Sequence, residues 1–166
     1  MFPQDTPVMK TSVHFSSDRS DWATPQAFFD ELNKEFNFTR DVCAEPHTAR
    51  CKEYWTKEDD ALSKEWEGVC YMNPPYGREI TKWIKKAYDS SRSGATVVCL
   101  IPSRTDTKWW HQYVMHADEI RFIQGRLKFD GHKNSAPFPS AISVFRGRKF
   151  KKSAEEATRW ALQNCS

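Results

Sequence analysis

The chain has 166 residues and a mass of 19.4 kDa, enough for one compact domain. It is 39% hydrophobic and 14% aromatic, which excludes a disordered chain, and no run reaches the ~18–20 apolar residues of a membrane-spanning helix. The net charge of +3 hides an asymmetry: residues 1–83 sum to −5 and residues 84–166 to +8, which fits either a second half that faces a polyanion or a merely solubilising surface.

Residues 1–20 are polar and lack the apolar stretch of a secretory signal, so they read as a mobile arm on an unexported, cytoplasmic protein. Thr24 and Pro25 form a cap and first turn, and Phe28, Phe29, Leu32 and Phe36 follow at helical spacing. Phe38 to Ala44 reads as a strand, Cys51 to Trp55 as a short second one, and Glu58 to Leu62 as a loop. Val69 to Met72 is a buried strand, stopped by the prolines of Asn73-Pro74-Pro75-Tyr76-Gly77. Ile80, Trp83, Ile84, Ala87 and Tyr88 mark one face of a helix that Gly94 ends. Thr96 to Ile101 is the clearest strand; a helix over about 106–115 follows, with Trp109 or Trp110 in the core. Ile120 to Ile123 and Ala141 to Phe145 are further strands, and Ser153 to Glu156 is a capping box for a last short helix.

The alternation of strands and helices predicts an α/β fold: a mostly parallel sheet covered on both faces, with an antiparallel edge formed by the final strands. The expected organisation is an arm over 1–20, one domain over 21–147, and a basic segment with a short helix over 148–166. Ligands of such sheets sit beyond the carboxyl ends of the strands. Asp41, Glu45, Asp60, Asn73 to Tyr76 and the stretch from Pro102 to Asp106 fall there.

Cysteines 43, 51, 70, 99 and 165 are odd in number and irregular in spacing, which favours free thiols in a reducing compartment. Cys43-x3-His47-x3-Cys51 lacks a fourth ligand and standard zinc spacing, so no metal is expected.

Asn73-Pro74-Pro75-Tyr76 carries the most chemistry. The lone pair of an exocyclic amine is delocalised into its ring, and two acceptors on its N–H groups draw the nitrogen toward tetrahedral geometry. The Asn73 side-chain oxygen supplies one acceptor and a proline carbonyl, held by a ring-fixed φ, the other. Tyr76 offers a face for a planar substrate, a contact worth ~1–3 kcal/mol per base. The same four residues also make a plain strand-to-helix turn. Asp41 is either a ligand-binding acid or a loop acid, and Asp60 either an acceptor for an amino group or one member of a solvated acidic run. Arg104 and Lys108 are candidate phosphate contacts.

With these pieces in order, the chain resembles the phage-type DNA N6-adenine methyltransferases over roughly residues 20–147. The resemblance rests on Asp21 to Pro25, Asp41 to Ala44, Asp60 to Leu62, Asn73 to Tyr76, Pro102 to His111, Gly125 to Phe129 and Pro137 to Ala141. It implies an abbreviated, single-domain, Rossmann-like class I methyltransferase that uses S-adenosylmethionine and flips adenine out of double-stranded DNA. Asn73, Pro74, Pro75 and Tyr76 would hold the base. Trp22, Thr24 and Pro25 would touch the methionine part of the cofactor, Asp41, Cys43, Ala44 and Glu45 would form a reduced cofactor loop without glycine, and Asp60, Ala61 and Leu62 would meet the cofactor adenine. Arg104, Lys108, Arg126 and Lys128 would face DNA. The alternatives are an amino methyltransferase acting on RNA or on protein glutamine, and a non-catalytic DNA-binding relative.

Overall fold

The computed structural model describes residues 22–148. The predicted arm, most of the basic segment and the predicted last helix lie outside the described residues. The chain runs through α1 (Gln26–Phe36), β1 (Arg40–Asp41), β2 (Val69–Met72), α2 (Ile80–Arg92), β3 (Thr96–Pro102), α3 (Lys108–Gln112), β4 (Glu119–Phe122) and β5 (Ser140–Phe145). Two 3-10 turns, Ala61–Ser63 and Val114–His116, complete it.

The five strands form one sheet in the order β1-β2-β3-β5-β4. β1, β2 and β3 pair in parallel, with Asp41 opposite Tyr71 and Met72 opposite Cys99. β5 runs antiparallel between β3 and β4. The antiparallel strand is therefore one position in from the edge, because β4 returns to the direction of β3 and takes the outer place. β3 explains the continuous apolar run Val97 to Ile101: it is covered on both faces. Val97, Cys99 and Ile101 pack with Ile84, Ala87, Trp109 and Trp110 of α2 and α3. Val98 and Leu100 point the other way, toward Phe29, Leu32 and Phe36 of α1. Both tryptophans of α3 are buried. Among the described residues, no helix is long and apolar enough to cross a membrane.

Three expectations shift. α1 starts at Gln26, with Pro25 rather than Thr24 in the capping place and no side-chain cap bond, because the Thr24 hydroxyl is used in the interior by Tyr71 and Asn73. The strand expected over Phe38 to Ala44 contracts to β1, because the Asp41 carboxylate accepts from the Cys43 and Arg50 amides and turns the chain away. Cys51 to Trp55 makes only an isolated bridge at Tyr54, although amide bonds from Asp41 to Glu53 and from Trp55 to Asp41 lay it along β1.

Gly147 closes the sheet against the turn after α2: its amide donates to Thr96 Oγ1 at 3.0 Å. A Cβ there would lie 2.1 Å from the Gly94 carbonyl oxygen. Gly147→Ala is expected to cost about 1–3 kcal/mol, the usual penalty for overpacking. A lowered denaturation midpoint with unchanged activity of the folded fraction would be the result, since the site lies at the opposite end of β3.

Candidate functional site

The carboxyl ends of β1 and β2 open onto a cavity of about 560 Å³, within the usual range for small-molecule sites. Parallel strands put Asp41, at the end of β1, beside Asn73, which follows β2. The loop 56–62 folds over as a third wall. There the Asp59 carboxylate accepts from the Thr56 amide at 2.8 Å and its hydroxyl at 3.0 Å. The buried Trp66 indole donates to the Ala61 carbonyl at 2.8 Å and fixes the turn that carries Asp60, Ala61 and Leu62. Asp60 itself adopts a left-handed conformation, φ 50°, without a capping bond.

Of the residues expected to meet a cofactor, all but Pro25 line this cavity. Pro25 caps α1 instead. Asn73 and Pro75 also line it, whereas Pro74 is buried behind and Tyr76 turns its ring aside. That ring joins an aromatic cluster. Tyr76 and Trp22 lie 6.5 Å apart between centroids and only 21° from parallel. Phe138 meets both edge-on, at 5.2 Å from Trp22 and 5.4 Å from Tyr76. Trp22 thus borders both the cavity and the aromatic cluster, and Asn73 sits where they join. The four predicted DNA contacts Arg104, Lys108, Arg126 and Lys128 are exposed, lie outside the cavity and form no ion pair among the described residues.

The cavity is acidic. Asp41, Glu45, Asp60 and Glu79 face Lys57, the sole basic lining residue among the described residues. Asp41 is 2% exposed, and burial pushes its carboxyl up to about 7 against the pull of the Arg50 and Cys43 amides. Burial likewise pushes the Cys43 and Cys51 thiols up to about 12, so neither is a nucleophile at neutral pH. The four described cysteines are free, and no group of three potential metal ligands converges among the described residues.

Sequence reasoning missed Arg50, Glu79, Trp83 and Tyr71. Glu79 and Trp83 line the cavity from the start of α2. Arg50 donates from Nε to the Thr24 carbonyl at 2.8 Å, from Nη1 to Gln26 Oε1 at 3.0 Å and from Nη2 to Asp130 Oδ2 at 2.6 Å. It fastens residues 22–26 across the strand ends. No local pattern marks such a role, since its partners lie 24 to 80 positions away. The tyrosine hydroxyl inside the apolar run Val69 to Met72 was the one available signal for Tyr71: a buried phenol requires a partner.

A mixed α/β sheet that opens one large cavity at the carboxyl ends of its parallel strands is the architecture of an α/β enzyme with a small-molecule site. The family model described as DNA N-6-adenine-methyltransferase (Dam) matches residues 11–157, and the chain belongs to that family of adenine-specific DNA methyltransferases. Over 126 residues it is 36% identical to the DNA N-6-adenine-methyltransferase of Haemophilus phage HP1 (strain HP1c1), covering 74% of this chain and 73% of the relative. Over 63 residues it is 35% identical to "Putative methyltransferase YfdM" of Escherichia coli (strain K12), covering 33% of this chain and 69% of that protein.

Proposed function

We propose that this protein transfers a methyl group from S-adenosylmethionine to the N6 amine of an adenine flipped out of double-stranded DNA, in the cytoplasm where that DNA lies. The observation that carries the reading is the place of Asn73: it lines the acidic cavity while its side-chain oxygen accepts from the Tyr76 hydroxyl at 3.0 Å, at the border of the aromatic cluster. The strand order, with one reversed strand between β3 and β4, supports a shortened Rossmann-like class I sheet.

The residues present fit the cofactor. A cationic ligand suits four carboxylates and one lysine, and the Asp41 carboxylate is buried in the wall with only two amide donors to satisfy it. Asp41, Ala44 and Glu45, with Asp60 and Leu62 opposite, would hold it, and when bound it would supply an electrophilic sulfonium methyl. The chain itself positions the acceptor amine. The Asn73 oxygen and the Pro74 carbonyl accept its two N–H groups, and Tyr76 stacks on the base. In the free protein the Tyr76 hydroxyl satisfies the Asn73 oxygen, so no buried acceptor is left unpaired before the substrate arrives. Extrusion of the base costs a few kcal/mol. Exposed Arg104, Lys108, Arg126 and Lys128 offset it through phosphate contacts.

The test is transfer of a labelled methyl group to duplex DNA, RNA and protein in parallel. Label in DNA, recovered as N6-methyladenine, is the expected result; label in RNA or protein alone would overturn the reading. Within the same assay, Tyr76→Ala is expected to lower kcat/KM for DNA by about 10- to 100-fold through lost stacking.

A further inference from the structure

Residues 22–24 present three successive carbonyls, and each has a different partner. The Trp22 carbonyl accepts from Asn73 Nδ2, the Ala23 carbonyl from the Asp130 amide at 2.9 Å, and the Thr24 carbonyl from Arg50. The segment is thereby held from the turn after β2, from the loop before β5 and from the stretch after β1. Thr24 turns its hydroxyl to the same Nδ2 at 3.1 Å, and the buried Tyr71 hydroxyl lies 2.7 Å from that oxygen. A carbonyl can only accept, so the end of the Asn73 amide that faces Trp22 must be the NH2 group. Its oxygen then has to point the other way, toward Tyr76 and the place assigned to the substrate amine.

Resting on the reading of Asn73 given above, we propose that the Trp22 carbonyl and the Thr24 hydroxyl are an orientation lock, with Tyr71 and Arg50 as positioning residues, that holds the Asn73 oxygen toward the substrate. An unlocked amide rotates freely, and half of its orientations present N–H groups to an amine that needs an acceptor. The lock also dictates which residue works at position 73. Aspartate offers an acceptor as good as asparagine to the amine, but its ionised carboxylate cannot donate to Trp22 or Thr24 and sets oxygen against oxygen. Only the protonated acid restores the pattern, with its O–H on Trp22 and its other oxygen outward.

The experiment compares Asn73→Asp, Thr24→Val and Thr24→Ser with the wild type, with Asn73→Ala as reference, at saturating S-adenosylmethionine and duplex DNA. The ionisable groups around the position are Tyr76 directly, Tyr71 through Thr24, Arg50 with its partner Asp130 behind the Thr24 carbonyl, His132 stacked on the Trp22 ring, and Asp41, Cys43, Glu45, Lys57, Asp60 and Glu79 around the cavity. Rates are therefore taken as ratios to the wild type at each pH, which cancels their titration. The Asn73→Asp ratio is expected to rise about tenfold for each unit of falling pH. Thr24→Val is expected to lose at least tenfold in kcat at saturating cofactor with KM for DNA unchanged, and Thr24→Ser to restore the rate. A flat Asn73→Asp ratio at any level, or a Thr24→Val kcat equal to wild type, overturns the lock while leaving the role of Asn73 in place. If Thr24→Val fails to fold, the Asn73→Asp profile decides alone. Full activity in Asn73→Ala would instead overturn the reading on which the lock rests.

Discussion

Asn73→Ala is expected to reduce methyl transfer to DNA by at least about 10²–10³-fold, the scale on which loss of one preorganised polar contact at a reacting centre is felt. The side chain is poised by three hydrogen bonds, two donated by Nδ2 and one accepted by Oδ1, so the free protein has already met the cost of orienting it. Alanine removes the acceptor outright and leaves the Trp22 carbonyl and Tyr76 hydroxyl unpaired, at about 1–3 kcal/mol of stability for a buried polar group. The cavity walls at Asp41 to Glu45 and Asp60 to Leu62 belong to other segments and stay as they are. Single-turnover transfer measured below the variant's melting temperature, beside a calorimetric titration with S-adenosylmethionine, separates the two effects. A near-wild-type cofactor Kd with transfer at the detection limit is the expected pair; undiminished transfer would remove Asn73 from the chemistry.

How far the site could be read from sequence follows from how its parts are encoded. Asn73 was legible because an apolar strand ends at Met72 and two prolines prevent anything but a fixed turn after it. That Asp41 to Glu45 and Asp60 to Leu62 would share one cavity was legible because each follows a strand or loop whose end had to fall on the same edge of a parallel sheet. The β3 run was legible for the opposite reason: five consecutive buried residues leave no polar face to hide. Thr24 misled because its local context, Ser/Thr before proline, is that of a helix cap, and a contact 47 residues away with Tyr71 outweighed it. The aromatic cluster was invisible for the same reason. Trp22, Tyr76, Phe129 and Phe138 share no spacing, and only the crossing of the 22–24 segment with the loop around Asp130 brings them together.

Asp41 leads to the second large effect, on pH. Its carboxyl has an ordinary value of 3.8 and is held at about 7 in the folded protein, chiefly by burial. Between those values the folded state binds a proton that the unfolded chain does not, so this residue's contribution is fully present below about pH 4 and is lost as pH rises through 7. The interval corresponds to roughly 4 kcal/mol. Asp41→Asn, which cannot be ionised, is expected to flatten the fall in melting temperature between pH 4 and 7, while one of the Cys43 and Arg50 amides loses its acceptor. A chain that carries such a cost in the wall of this cavity gains from it only when a ligand meets the ionised form. A cation does so, and its arrival draws the carboxyl back down. Binding of S-adenosylmethionine should therefore release up to one proton below pH 7, with affinity rising by as much as tenfold per unit from pH 5.5 to 7 and levelling above. Work below about 7.5 avoids the titration of the ligand's own α-amine. Calorimetry in buffers of different ionisation enthalpy counts the proton directly, and Asp41→Asn should bind weakly with no slope. A wild-type Kd that does not move across this range would mean that Asp41 faces no cation, and would place the positive end of the ligand against Glu45, Asp60 or Glu79 instead.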